Sequence, residues 1–375
     1  MAGSDAARVI VAGGGVAGLE ALMALRALAG ARVELTLVAP HDDFVYRPLA
    51  VDAPYAVARA RQVSLDDAAR DAGATFVGGT IEAVDAGQRI VTPSDSDPLE
   101  YDALVLAVGA QAVPVVEHAM TWDDRVDAET VGGLLRDIEE GYSRRLAIVI
   151  PPGPAWPLRA YEVALFITLQ AKGMSADLES TIVAPDPSPL AALGSQAVKM
   201  VSDELAQAGV DVVTAAGVDV EPGHATTLVL HPSGRRLEVD RVLALPELRG
   251  RTIAGIPADA DGFVEVDEHC RARGLDAVWA VGDGTAFALK SGGFAAEQAD
   301  IAAEDIAAAA GADVDPRSFD PNSGEKLAGL PAGPFLKAWL AQGDDEGLTM
   351  CLPATGVPTL TYLQRDLEAG WRGQP

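Results

Sequence analysis

Three glycines near the N-terminus, Gly13, Gly15 and Gly18 in VAGGGVAGLEAL, stand at the G-x-G-x-x-G spacing. The spacing suits a pyrophosphate, and the three positions do different work. The first permits a tight turn, the second removes bulk where phosphate comes close, and the third lets helix and strand pack. Val16 and Ala17 then open a helix whose free N–H groups and positive dipole end face the same anion. An acidic residue commonly ends the next strand of such a unit and holds a ribose. In VELTLVAPHDDF that place is taken by Ala39 and Pro40, and Glu34 comes too early to replace the acid. The ribose contact falls instead to backbone, water or a neighbour. His41, in the following loop, is a candidate for adenosine contact or for solvent.

A second strand-to-helix junction, IVIPPGPAWPLRAYE, is built in the opposite manner. Pro151, Pro152, Pro154 and Pro157 each remove a backbone donor, and donors are what bind a pyrophosphate. Trp156 adds bulk where glycines would leave room. A standard NAD(P)H phosphate site is therefore not expected here. Glu162 opens the next helix, either to position a substrate or proton or simply as an acid favoured by the helix dipole. Cys270 and Cys351 are the only cysteines, with no C-x-x-C pair, and the five histidines show no metal spacing. That weighs against zinc, iron–sulfur and disulfide frameworks and predicts no metal.

The elements that must carry these residues read as alternating strands and helices. Val9 to Ala12 are a buried parallel strand, and YDALVLAVGA is another, ending in a turn with Ala107 and Gly109. LDAVWAVGDGTAF is an apolar strand running into Gly282 and Asp283. After Gly292 and Gly293, FAAEQADIAAEDIAAAA has helical composition. Arg145 to Ile150 and Tyr161 to Lys172 form a second strand–helix pair. The predicted fold class is α/β, with two Rossmann-like, three-layer dinucleotide-binding domains and a C-terminal section.

The chain of 375 residues is half apolar and carries a formal charge of −27, which repels nucleic acid and anionic membrane surfaces. It shows no signal-peptide pattern and no run of eighteen apolar residues, so a cytoplasmic protein with no integral membrane segment is expected. In the tail, Phe335, Leu336, Trp339 and Leu340 have helical spacing but are followed by Asp344, Asp345 and Glu346. Without a basic face, this stretch is expected to pack on the body or form a homodimer interface.

Taken together, VAGGGVAGLEAL, FVYRPLAV, YDALVLAVGA, PPGPAWPLRAYEVAL and VWAVGDGTAFALKSGGFAAEQADIAAEDI resemble the two-dinucleotide-binding-domain flavoproteins. Within them the chain is similar to sulfide:quinone oxidoreductases and flavocytochrome c sulfide dehydrogenase flavoproteins, and more distantly to type II NADH dehydrogenases. The resemblance implies FAD, in a discontinuous domain of residues 1–112 and 250–315. It implies a second, NAD-domain-like domain at 113–249 and a C-terminal interface or capping section at 316–375. It places Arg47 and Pro48 beside the flavin, Ile81 near the adenine, Ala107 and Gly109 at the crossover, and Asp283 on the ribityl chain. Lys290 and the helix start at Gly293 would face the flavin pyrimidine ring, where positive charge stabilises a reduced flavin. Glu297 and Gln298 would sit where relatives place quinone-facing residues.

One departure matters. The proline loop matches the sulfide:quinone pattern at Pro157, Tyr161 and Glu162, but Trp156 stands where that family has a catalytic cysteine. A two-thiol polysulfide relay is therefore not expected. The expected function is an FAD-dependent oxidoreductase passing electrons between a small donor and a quinone-like or protein acceptor, with Trp156, Glu162 and Lys290 on the flavin face. Two alternatives stand beside it. One is an NAD(P)H dehydrogenase with an unorthodox nicotinamide site; the other is a flavin-binding interaction subunit whose catalysis has lapsed.

Overall fold

A computed structural model describes residues 6–45, 62–122, 127–153, 157–191, 194–223 and 226–319. The run ARVIVA, rich in β-branched residues, forms strand β1 (Ala7–Ala12), and the alanine- and leucine-rich segment after it forms helix α1 (Val16–Ala29). Strands β2 (Val33–Ala39), β3 (Ala74–Gly78) and β4 (Ala103–Leu106) follow. In a second unit the order is β5 (Arg145–Val149), α2 (Leu158–Gly173), β6 (Glu179–Val183), α3 (Gly194–Ala208), β7 (Val210–Val213) and β8 (Arg241–Ala244). The chain then returns to the first unit with β9 (Val278–Ala280) and α4 (Gly292–Ala309).

Two parallel sheets result. The first has the order β9-β4-β1-β2-β3 and so draws strands from two separated stretches of the chain. The second runs from an edge strand at Met120–Thr121 through β8, β5 and β6 to β7. In each sheet the chain winds first to one side of its founding strand and later to the other. The reversal leaves a crevice at the carboxyl ends of the strands, where ligands bind in open α/β sheets.

Both sheets are covered on both faces, which is why their strands read as apolar runs rather than alternating ones. Val9, Val11, Leu35 and Leu37 pack under α1 and α4, while Ile10, Ala12 and Val38 face an antiparallel meander containing Ile81, Val84 and Val91. In the second unit Leu146, Ile148 and Ile182 lie under α2 and α3, and Ala147, Val149 and Val183 face the three antiparallel strands carrying Leu228 and Leu230. Each large side chain so buried contributes about 1.5–3 kcal/mol. An expected three-layer arrangement thus occurs twice.

The turn at α2 starts earlier than the sequence suggests. Pro157 occupies the N-cap at φ −66° and the helix begins at Leu158 rather than Tyr161. Proline supplies that φ without strain, so the breaker signal marks the start of the helix and not a gap before it. Glu162 therefore lies in the second turn rather than the first, and it is buried.

Candidate functional site

The first crevice is assembled from three stretches far apart in sequence. Gly13 has φ +123°, and a Cβ there would lie 2.1 Å from the Ala107 carbonyl oxygen. A Cβ on Gly18 would lie 1.8 Å from the Gly13 oxygen and 3.5 Å from the Ala107 Cβ. Helix, turn and β4 thus meet at distances no side chain permits. Gly15 behaves differently, because a Cβ there would meet nothing within 4 Å. It is exposed and caps α1 with no side-chain acceptor, leaving the first-turn N–H groups directed into open space. Val16 and Ala17 form that first turn.

The third stretch closes on the same place. Gly282, at φ +74°, would put a Cβ 3.0 Å from the Ala17 Cβ and 3.4 Å from the Ala295 Cβ. Gly284 approaches the Gly109 oxygen at 3.3 Å, and Gly292 approaches Val16 at 4.0 Å, each measured from the position of an added Cβ. The turn bearing Asp283 is therefore seated on the start of α1. Ala39 is buried at the end of β2, and its carbonyl accepts from Gly79 N–H at 3.0 Å, two residues before Ile81. Pro40 is exposed, Ile81 is buried on the core side of the meander it belongs to, and Gly293 is buried in the first turn of α4.

Lys290 is not the solvated loop lysine that its sequence context permits. It is 4 % exposed, donates to the Thr285 carbonyl, and lies 4.0 Å from the centroid of the Phe263 ring. Burial lowers its pKa to about 8, against the opposing pull of Asp283 and Asp259. Gln298 is also turned inward: it is 1 % exposed and accepts from Gly282 N–H at 2.7 Å, while Glu297 beside it is half-buried. An exposed place for Gln298 on this helix is thereby excluded. Cys270 is fully buried in the core against α4. Among the described residues no group of three or more His, Cys, Asp or Glu is arranged to hold a metal. Arg47, Pro48, Trp156 and Cys351 lie outside the described residues.

The family model of pyridine nucleotide-disulphide oxidoreductases matches residues 7–305. The chain belongs to that family. Members of the pyridine nucleotide-disulphide oxidoreductase family carry FAD, and the chain is an oxidoreductase. It is 28 % identical over 300 residues to an NADH dehydrogenase-like protein of Mycobacterium tuberculosis, covering 74 % of this chain and 72 % of that one. To ferroptosis suppressor protein 1 of Taeniopygia guttata it is 26 % identical over 293 residues, covering 74 % and 73 %. Among solved structures, the sulfide:quinone oxidoreductase of Aquifex aeolicus superposes with TM-score 0.72 at 20 % identity, over 80 % of this chain and 76 % of the other. Putidaredoxin reductase in its covalent complex with putidaredoxin gives 0.62 at 22 % identity, over 84 % and 77 %. These structures share the fold.

The two units of this oxidoreductase can be registered by hydrogen bonds alone. Gly13 N–H donates to Val38 O at 2.8 Å, and Ile150 N–H donates to Val183 O at 2.9 Å. Ala107 and Leu245 donate to Ala12 and Val149, and Ala39 and Ala184 accept from Gly79 and Ala216. Ile150 thus stands in the place of Gly13. The helix starts three residues after Gly13 but eight after Ile150. Fully buried Tyr161 packs in the same core as Leu190, and its hydroxyl pKa is raised by burial and by nearby Asp186. The second unit thus carries the Ile150 side chain where the first has glycine. A sequence signal for this register exists in the repeat ELTLVAP at 34–40 and ESTIVAP at 179–185. It shows the Ala-Pro ending of β2 to be shared by both units, with His41 and Asp186 in equivalent positions.

Proposed function

We propose that the chain passes electrons through FAD between a small donor and a quinone-like or protein acceptor, without a cysteine relay and without a standard NAD(P)H phosphate loop. The observation that carries this reading is the asymmetry of the two turns: Gly13 and the open Gly15 lead into the helix within three residues in the first unit, whereas Ile150 stands in the place of Gly13 in the second and the helix starts eight residues later. In this reading residues 1–112 and 250–315 form the FAD domain, 113–249 the second domain and 316–375 an interface or capping section. The first-turn N–H groups of α1 at Val16 and Ala17 hold the pyrophosphate, with Gly15 giving it room and Gly13 and Gly18 fixing the helix. Asp283 holds the ribityl hydroxyls, with Arg47, Ile81, Ala107 and Gly109 along the cofactor. Lys290, beside Phe263, would supply positive charge to the pyrimidine ring of bound FAD and so favour its reduced form. Trp156 and Glu162 shape the face where substrate enters. Bound FAD would supply the two-electron chemistry itself.

A second reading has its own support, since a relative matched over most of its length is named NADH dehydrogenase-like. In it, a nicotinamide reaches the flavin without a glycine-lined phosphate site. Among the described residues no helix is long and apolar enough to cross a membrane, and we place the protein in the cytoplasm.

The test is an anaerobic flavin spectrum followed during addition of NADH, NADPH, sulfide and a reduced quinone. Bleaching by sulfide or quinol, with the nicotinamides inert, is the expected result. Rapid bleaching by NADH or NADPH installs the second reading. A protein that neither carries nor takes up FAD defeats both.

A further inference from the structure

The turn that carries Asp283 is held in an unusual way. A buried turn ordinarily satisfies its backbone groups within the local chain. Here the Gly282 carbonyl accepts from the Thr285 N–H at 3.1 Å as a local turn does, but the Gly282 N–H is met by a side chain from another element, and a second side chain adds to the carbonyl. Gln298 Oε1, from the second turn of α4, accepts the Gly282 N–H at 2.7 Å. The Thr285 hydroxyl donates to the Gly282 carbonyl at 2.9 Å, and Gln298 Nε2 lies 3.5 Å from that hydroxyl. Lys290 closes the string by donating to the Thr285 carbonyl. Gln298 is 1 % exposed and Thr285 fully buried, so water offers neither group a substitute. The turn has no slack on its other side, because Gly282 already lies against Ala17 and Ala295.

We infer that Gln298 is a positioning residue for FAD: with Thr285 it fixes the two peptides that flank the Gly282 Cα and so sets the direction in which the Asp283 carboxylate leaves the turn. The inference rests on the reading above that Asp283 faces the cofactor. Its mechanical content is simple. Gln298 holds the Val281–Gly282 peptide through its N–H and Thr285 holds the Gly282–Asp283 peptide through its carbonyl, so a turn of either plane about the Gly282 Cα breaks a buried hydrogen bond. Gln298 thereby links the long helix α4 to the cofactor anchor without touching the cofactor.

The experiment measures FAD affinity by flavin fluorescence, the visible flavin spectrum and the melting temperature of the apoprotein for wild type, Gln298→Leu and Gln298→Glu at pH 6. Leucine keeps the packing volume but orphans the Gly282 N–H, and FAD Kd is expected to rise about tenfold or more with an altered flavin spectrum. At pH 6 burial favours the neutral carboxyl of glutamate, which still accepts from Gly282, so Q298E is expected to restore affinity and spectrum. Should Q298L fail to fold, Thr285→Val against Thr285→Ser poses the same question to the other brace, with serine keeping the hydroxyl. Unchanged FAD Kd in Q298L overturns the inference, whether or not the apoprotein melts earlier. So does a loss that glutamate fails to restore. A wild-type protein that binds no FAD instead overturns the reading of the Asp283 site on which the inference rests.

Discussion

Gly13, Gly15 and Gly18 share a residue type for different reasons, and the difference is measurable. At Gly13 an added methyl meets the Ala107 carbonyl at 2.1 Å and a left-handed φ; at Gly18 it meets the Gly13 oxygen at 1.8 Å. Gly13→Ala and Gly18→Ala should each destabilise the apoprotein by at least about 2 kcal/mol, read from chemical denaturation. Gly15→Ala meets no atom and has φ −87°, so the same curves should move by less than about 0.5 kcal/mol. With the pyrophosphate placed as proposed, its FAD affinity should nevertheless fall about tenfold or more, because the methyl takes the space of the phosphate. Wild-type FAD affinity in G15A would mean that the pyrophosphate does not pass there. These glycines were legible in the sequence because sterics tie a residue type directly to a backbone position. Lys290 and Gln298 were not legible in the same way. Their inward orientation depends on Phe263, Thr285 and Gly282, which neither spacing nor periodicity brings to mind.

At the scale of elements, the seam between α1 and α4 decides how the cradle is held. Ala17, Ala21 and Ala24 face Ala295, Ala299 and Ala302 across a close alanine-rich contact within one core. Into the same seam the chain places carboxylates: buried Glu20 from α1, and Glu297, Asp300 and Glu304 from α4, with Arg317 paired to Glu304. Burial first, and Glu20 second, raise the Asp300 pKa to about 8 from an ordinary 3.8. Folded protein then holds a proton between pH 4 and 8 that the unfolded chain has lost, so stability falls as pH rises through that window. Lys290 acts in the next one. Its pKa is lowered to about 8 from 10.5, so between pH 8 and 10.5 the unfolded chain holds the extra proton and stability rises. Asp300→Asn should flatten the acid-side slope and stabilise the apoprotein by roughly 1 kcal/mol or more at pH 8; Lys290→Met should flatten the alkaline slope. Melting temperatures of apoprotein from pH 5 to 10 check both, and parallel curves for D300N and wild type would remove Asp300 from the seam's titration. The sequence revealed both helices through alanine-rich periodicity. It did not reveal that they cross, because crossing is set by the return of β9 to the first sheet after more than a hundred residues.

At the scale of the whole molecule, two similarly layered units have parted in chemistry. Their strands register hydrogen bond by hydrogen bond, and the repeat of ELTLVAP as ESTIVAP still marks the kinship, yet Ile150 and a longer proline loop replace the turn at Gly13. The proline signal was readable from the sequence; the substitution of Ile150 for glycine was not, since it needs the register of β5 against β6. Such a division leaves the acceptor to be settled by long-range forces. A formal charge of −27 sets up a field that a neutral quinone ignores and a charged protein does not. Between about 10 mM and about 0.15 M salt the Debye length shrinks from about 30 to about 8 Å, which removes most of that field. For a quinone-like acceptor, kcat/KM should stay within about twofold across the range. A cationic protein acceptor should lose about tenfold or more, and an acidic one should gain, because screening relieves repulsion. The measurement is steady-state turnover with a short-chain quinone and with a basic and an acidic redox protein, each at several salt concentrations. Flat kinetics with quinone, together with slow turnover of both proteins, are the outcome that the proposed small-molecule acceptor predicts. A steep fall with the basic protein, at rates above those of quinone, would move the acceptor from a small molecule to a docking partner.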